Sequence, residues 1–107
     1  MDLLLTGRWM GAPEAARWGL VNEVLADDDA VRSRAWETAR LLAAGPPLVF
    51  AAIKEVARVA ESLTFAEAMD LVTDGRLPAV RALYDSEDEK EGARAFAEKR
   101  PPVWKGR

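Results

Sequence analysis

Four cations gather at one end of this chain. Lys99, Arg100, Lys105 and Arg107 fall in a stretch without a single Asp or Glu, and Trp104 stands among them. Cations beside an aromatic ring can contact an anion, and phosphate is one such groups meet readily. The residues alone leave two readings open. The cations either meet phosphates, or they complement the negative end of a helix and trail into a solvated tail. A nucleic-acid surface is a poor fit, because four charges and one aromatic do not make a basic face with interleaved stacking platforms. The formal net charge of −3 offers no general attraction to nucleic acid or an anionic membrane either.

Other chemistries lack their side chains. With no cysteine and no histidine, the chain has no thiol nucleophile, no disulfide framework, no Ser-His-Asp triad and no ordinary zinc site. General acid–base work needs a carboxylate in a dry cleft with a shifted pKa. Glu14, Glu23, Glu55 and Glu67 instead occupy helix first turns or surface-like positions, and a structural role is expected for each. Asp27, Asp28 and Asp29 read as an N-cap and a dipole-matched first turn. Side chains at three consecutive positions fan out around a helix and do not converge on a metal. Gly7, Gly11 and Gly19 are spaced as turn and cap glycines, not as a phosphate loop. Trp9 and Trp18 are expected to be buried rather than to stack on a ligand. No catalytic and no metal-binding residue emerges.

The elements that would carry these residues are mostly helical. Asp2 to Leu5 reads as the last turn of something beginning upstream, broken at Thr6-Gly7. Arg8 to Met10 is a short extended piece. Pro13 suits a helix start, and that helix should end at Gly19. Leu20 to Leu25 is a short strand or an extended connector. In the next helix Val31, Ala35, Ala39 and Leu42 line one face. Gly45-Pro46-Pro47 ends it and starts another, whose apolar stripe is Val49, Ala52, Ile53, Val56, Ala57 and Ala60, with Glu55 outside. Thr64 and Glu67 form a capping box, and Phe65, Ala68, Met69 and Val72 the inner face behind it. Gly75 and Pro78 should interrupt that helix. Ser86 and Glu89 form a second capping box for a helix that Pro101 and Pro102 stop.

A chain of 107 residues, half of them hydrophobic, is one domain or part of one. It can bury roughly two-thirds of its unfolded surface. No apolar run approaches the ~20 residues that span a bilayer, and the N-terminus does not read as a secretory signal. A cytoplasmic location without membrane contact is the expectation. The opening segment has no cap before it and reads as a cut edge.

Leu5-Thr6-Gly7, Ala12-Pro13-Glu14-Ala15 and Gly19-Leu20-Val21 to Val24 together resemble the enoyl-CoA hydratase/isomerase (crotonase) superfamily. Gly45-Pro46-Pro47 followed by Ala52-Ile53-Lys54 fits the same pattern. The ending, SEDEKEGARAFAEKRPPVWKGR, looks most like the carnitine-linked dehydratase branch of that superfamily.

The resemblance covers essentially the whole chain, and it implies an incomplete domain spanning residues 1–107. The fold class it implies is mainly α: the C-terminal helical region of the ClpP-like ββα-spiral fold, without the spiral core. In the family that region caps the acyl-CoA pocket and builds a trimer, often a dimer of trimers. The oxyanion-hole amides and catalytic glutamates belong to the upstream part, so none can be assigned here. The whole enzyme's implied reaction adds or removes water across the α,β double bond of a CoA thioester, with no cofactor besides that substrate. One ligand role carries over. The lysine of the F-x-E-K-R stretch reaches the CoA phosphates from a neighbouring subunit, and here it is Lys99, with Phe96 as the buried anchor of the same helix. Val80 stands where some members place an aromatic that contacts adenine. The alternative is a non-enzymatic helical module that associates with full-length relatives.

Overall fold

Helix boundaries in the computed structural model, which describes residues 1–107, fall where prolines, glycines and capping side chains dictate. Seven helices form and no strand, so the mainly α expectation holds. Leu20 to Leu25 is a connector rather than a strand. The chain divides into two units, Met1–Thr38 and Ala39–Arg107.

The first unit is held by polar contacts more than by a core. Helix α1 (Asp2–Thr6) closes on Gly7, whose φ of 62° is a left-handed conformation that glycine adopts freely. Arg8 then joins two helices: its Nε donates to Asp2 Oδ2 at 2.8 Å, and Nη2 and Nη1 donate to Glu14 at 2.8 and 3.1 Å. Glu14 lies in α2 (Ala12–Arg17), which starts with Pro13 in its first turn. Its carboxyl is held below the usual carboxylate range, chiefly by the Arg8 hydrogen bond. Helix α3 (Asp28–Ala43) starts where Asp27 Oδ1 accepts the Ala30 N–H at 2.8 Å, as the N-cap reading requires. The helix runs on into the second unit, none of its residues is buried, and Val31 and Leu42 are each about half exposed. Trp9 and Trp18 are likewise exposed, Trp9 at 97%, against the expectation of burial. The physical reason is a shortage of partners: this unit buries Ala15 alone, and short helices cannot enclose two indoles.

The second unit has a small apolar core. Helix α4 (Pro47–Ala60) packs against α5 (Phe65–Thr73) and α6 (Pro78–Tyr84). Ala52, Leu77 and Val80 form the centre, with Val56, Val59, Leu71, Val72 and Leu83 around them. Burying a residue such as Leu77 contributes about 2 kcal/mol. Two predicted faces are rotated. Phe65 and Met69 face solvent while Leu71 joins Val72 in the core. On α4, Ile53 is exposed and Glu55 is half-buried. Glu55 turns inward because α6 needs it: Leu77 supplies no side-chain cap, and Glu55 Oε2 instead accepts the N–H groups of Ala79 at 2.8 Å and Val80 at 3.3 Å. The Thr64–Glu67 capping box is complete, and its hydrogen bonds keep the Glu67 carboxyl below its ordinary pKa. Gly75 ends α5 at φ 64°, and Pro78 opens α6 as a separate helix.

Candidate functional site

The cationic segment is a folded hairpin with α7 (Glu87–Glu98), not a solvated tail. Ser86 Oγ accepts the Glu89 N–H at 3.0 Å, which is one half of the expected capping box. The other half does not form, because the Ser86 N–H is taken by the Leu83 carbonyl at 3.1 Å. The last residues cap the helix instead. The main-chain oxygen of Arg107 accepts the N–H groups of Glu87 at 2.8 Å and Asp88 at 3.2 Å. Asp88, only 2% exposed, accepts from the Lys105 and Gly106 amides at 2.7 and 2.8 Å. Trp104 lies over Gly92, where an added Cβ would stand 3.3 Å from the ring.

Glu91 ties the near end of the segment. Arg100 approaches it with both terminal nitrogens, at 2.6 and 3.0 Å, and the Val103 N–H donates to it at 3.0 Å. These bonds, the Arg100 pair first, hold the Glu91 carboxyl down at about 2. Arg100 also pairs with Glu98 at 2.6 Å, and its own pKa is raised by both carboxylates. Lys105 pairs with Glu87 at 3.2 Å, and Arg107 approaches the same carboxylate at 3.8 Å. A cleft of about 420 Å³ lies along this seam, lined in part by Lys90, Arg94, Arg100 and Val103.

Lys99 is the exception among the four cations. It makes no ion pair, it is exposed, and it lines no part of that cleft. It closes α7 with φ 52° and ψ 40°, the one non-glycine residue of the chain at positive φ. The Lys99 N–H donates to Phe96 O and the Arg100 N–H to Ala95 O, the pair of bonds that defines a Schellman closure. The same closure occurs at Gly19 and at Gly75. Glycine fills the left-handed position twice, and lysine fills it the third time. A strained backbone that retains a charged side chain is the pattern expected where the side chain has work to do.

Phe96 is 88% exposed and is not the buried anchor expected from sequence. Ala95, one residue earlier and rotated about 100° around the helix, is buried instead. Phe96, three residues before Lys99, therefore presents an exposed aromatic side chain. Sequence reasoning missed this because the apolar type of Phe96 speaks for burial, and nothing in its spacing says that α7 turns it outward. Val80 is 4% exposed in the core and is not available to a ligand.

Elsewhere, α4, α5 and α6 leave a shallow apolar groove of about 390 Å³, lined by Ile53, Val56, Val72, Leu83 and Tyr84 among others. No group of three or more Asp or Glu side chains gathers as a metal site would require. No helix is long and apolar enough to cross a membrane.

The enoyl-CoA hydratase/isomerase family model matches residues 1–107. Carnitinyl-CoA dehydratase of Escherichia coli strain K12 is 43% identical over 106 residues, which are 99% of this chain and 40% of that protein. Among solved structures, enoyl-CoA hydratase EchA1 of Mycobacterium marinum superposes with a TM-score of 0.81 at 36% identity, over 100% of this chain and 40% of the other. Enoyl-CoA hydratase subunit I of Geobacillus kaustophilus gives a TM-score of 0.81 at 36% identity, over 97% and 38%. The chain thus spans about 40% of the length of the relatives it matches.

Proposed function

The chain belongs to the enoyl-CoA hydratase/isomerase family, and from that premise we propose that it is the C-terminal helical region of an acyl-CoA hydratase or dehydratase. In this reading the region caps the acyl-CoA pocket and mediates assembly into a trimer or a dimer of trimers. The complete enzyme adds or removes water across the α,β double bond of a CoA thioester, with a carnitine-linked acyl group as the favoured substrate. It is cytoplasmic and needs no cofactor beyond that substrate. No residue of this chain is assigned to the chemical step.

Lys99 is the ligand contact. It meets a CoA phosphate belonging to the site of a neighbouring subunit, with the face of Phe96 beside it for the adenine ring. The observation that carries this assignment is the left-handed backbone at Lys99 together with its unpaired ammonium. A lysine held in a glycine conformation, three residues after an exposed aromatic, suits a ligand with a phosphate close to a flat base.

The expected outcome is binding without turnover. The pure chain should leave crotonyl-CoA and crotonobetainyl-CoA unhydrated, followed by the ultraviolet absorbance of the enoyl thioester. Turnover well above the buffer rate would overturn the assignment of catalysis to the rest of the enzyme. A second reading, a non-enzymatic module that joins full-length relatives, draws support from the exposed Trp9, Ile53 and Phe65. It requires hetero-oligomers when the chain is mixed with such a relative.

A further inference from the structure

We propose that Glu91 and Arg100 are positioning residues for Lys99: the fork between them holds the left-handed turn and so fixes where the Lys99 ammonium stands when it meets a phosphate. This rests on the reading that Lys99 contacts CoA.

The argument starts from how the hairpin is fastened. Its far end is secured without Glu91, by Asp88 on the amides of Lys105 and Gly106 and by Arg107 on the first turn of α7. Trp104 over Gly92 adds an apolar contact in the middle. These fastenings lie five or more residues beyond Lys99 and leave its dihedral angles free to relax. The Arg100 side chain, by contrast, starts one residue from Lys99. Its guanidinium spans Glu91 by two parallel bonds and donates also to Glu98 and to the Pro101 carbonyl. A planar guanidinium held by four bonds fixes direction as well as distance. The Arg100 main chain is thereby held where its N–H reaches Ala95 O at 3.1 Å, which is the bond that closes the left-handed turn. The fork is thus local to Lys99, while docking of the tail has other supports.

The arrangement also separates two kinds of cation. Arg100 spends its charge on Glu91 and Glu98, so the phosphate is left to Lys99. Swapping the roles would not work. A lysine at position 100 is a point charge that cannot span Glu91 with two parallel bonds.

The experiment is an NMR titration of the 107-residue chain with coenzyme A and with 3′-dephospho-coenzyme A at low ionic strength. Wild type should show ligand-induced shifts at Phe96 and Lys99, and Lys99→Ala should lose those at Phe96. Arg100→Lys keeps the charge but removes the fork, and the Trp104 ring to Gly92 nuclear Overhauser contact reports whether the tail stays docked. Arg100→Lys should keep that contact and cut the Phe96 and Lys99 shifts by more than half, and Glu91→Gln should do the same. If wild type shows no shift, or Lys99→Ala shifts like wild type, the reading of Lys99 as the CoA contact fails and takes the inference with it. If Lys99→Ala loses binding while Arg100→Lys or Glu91→Gln binds like wild type, the inference alone is overturned. Loss of the Trp104 contact in Arg100→Lys would also overturn it, since the fork would then hold the whole tail and not the turn. The dephospho ligand separates the 3′-phosphate from the diphosphate as the group that Lys99 meets.

Discussion

At position 99 the backbone and the side chain want different residues. A left-handed conformation disfavours a side chain with a Cβ by roughly 1–2 kcal/mol, and glycine has no such penalty though it loses more entropy on folding. Lys99→Gly should therefore stabilise the chain by about 0.5–1 kcal/mol, whereas Lys99→Ala should be neutral or slightly destabilising. Both variants should lose the CoA contact. Urea midpoints read the first effect, and an Lys99→Gly midpoint no higher than that of Lys99→Ala would remove strain from the argument. The sequence singles this lysine out only through the likeness of its F-x-E-K-R stretch. Its φ of 52° is not legible there. Sequence ranks residue types by what they favour, and a residue kept where it is disfavoured shows only in the backbone.

Among the elements, α7 and the segment after it depend on carboxylates that act as acceptors while ionised. The Glu91 carboxyl titrates at about 2, below the roughly 4.3 of an unfolded glutamate. A pKa depressed by folding stabilises the native state fully above the unfolded value, and that contribution is lost as pH falls through the native one. The Glu91–Arg100 fork should therefore weaken between about pH 4.3 and pH 2. The Arg100 amide, which closes the turn at Lys99, should shift over that window in wild type while the Trp104 to Gly92 contact persists. In Glu91→Gln that amide should lose the part of its pH dependence that belongs to this carboxyl, although Glu14 and Glu67, also held low, still load the fold as a whole. An identical acid profile in wild type and Glu91→Gln would argue against a latch at Glu91. Caps of this kind divide cleanly into what sequence can and cannot tell. Asp27, Thr64 and Pro78 act on residues a few positions away, and their roles are readable from spacing. Glu55 and Asp88 act across 24 and 17 residues, so their spacing carries no signal. The same limit explains Phe65 and Phe96: period marks an apolar face, but not whether another element covers it.

For the whole molecule, surface area sets the question. A self-sufficient monomer of 11.8 kDa exposes ~5,900 Å² by the usual scaling with mass, and this chain exposes 8745 Å². The excess, roughly 2,800 Å² on one chain, is well above the ~800 Å² that each partner buries in a standard interface. Much of it is apolar: Leu4, Leu5, Trp9, Trp18, Leu41 and Phe65 are each more than two-thirds exposed. Buried hydrophobic residues number only five, four of them alanine or valine. A fold with so small a core is marginal alone, and binding a partner would stabilise it by mass action. The chain should therefore associate with itself, and its thermal midpoint should rise with protein concentration. Native mass spectrometry distinguishes the forms. Trimers of the chain alone support the proposed assembly role. Mixed species with a full-length carnitinyl-CoA dehydratase, at the expense of that enzyme's own oligomers, support the module reading. A strict monomer across the accessible concentration range, with no mixed species and a concentration-independent midpoint, would mean that the exposed apolar area is tolerated in water, and both assembly roles would fall together.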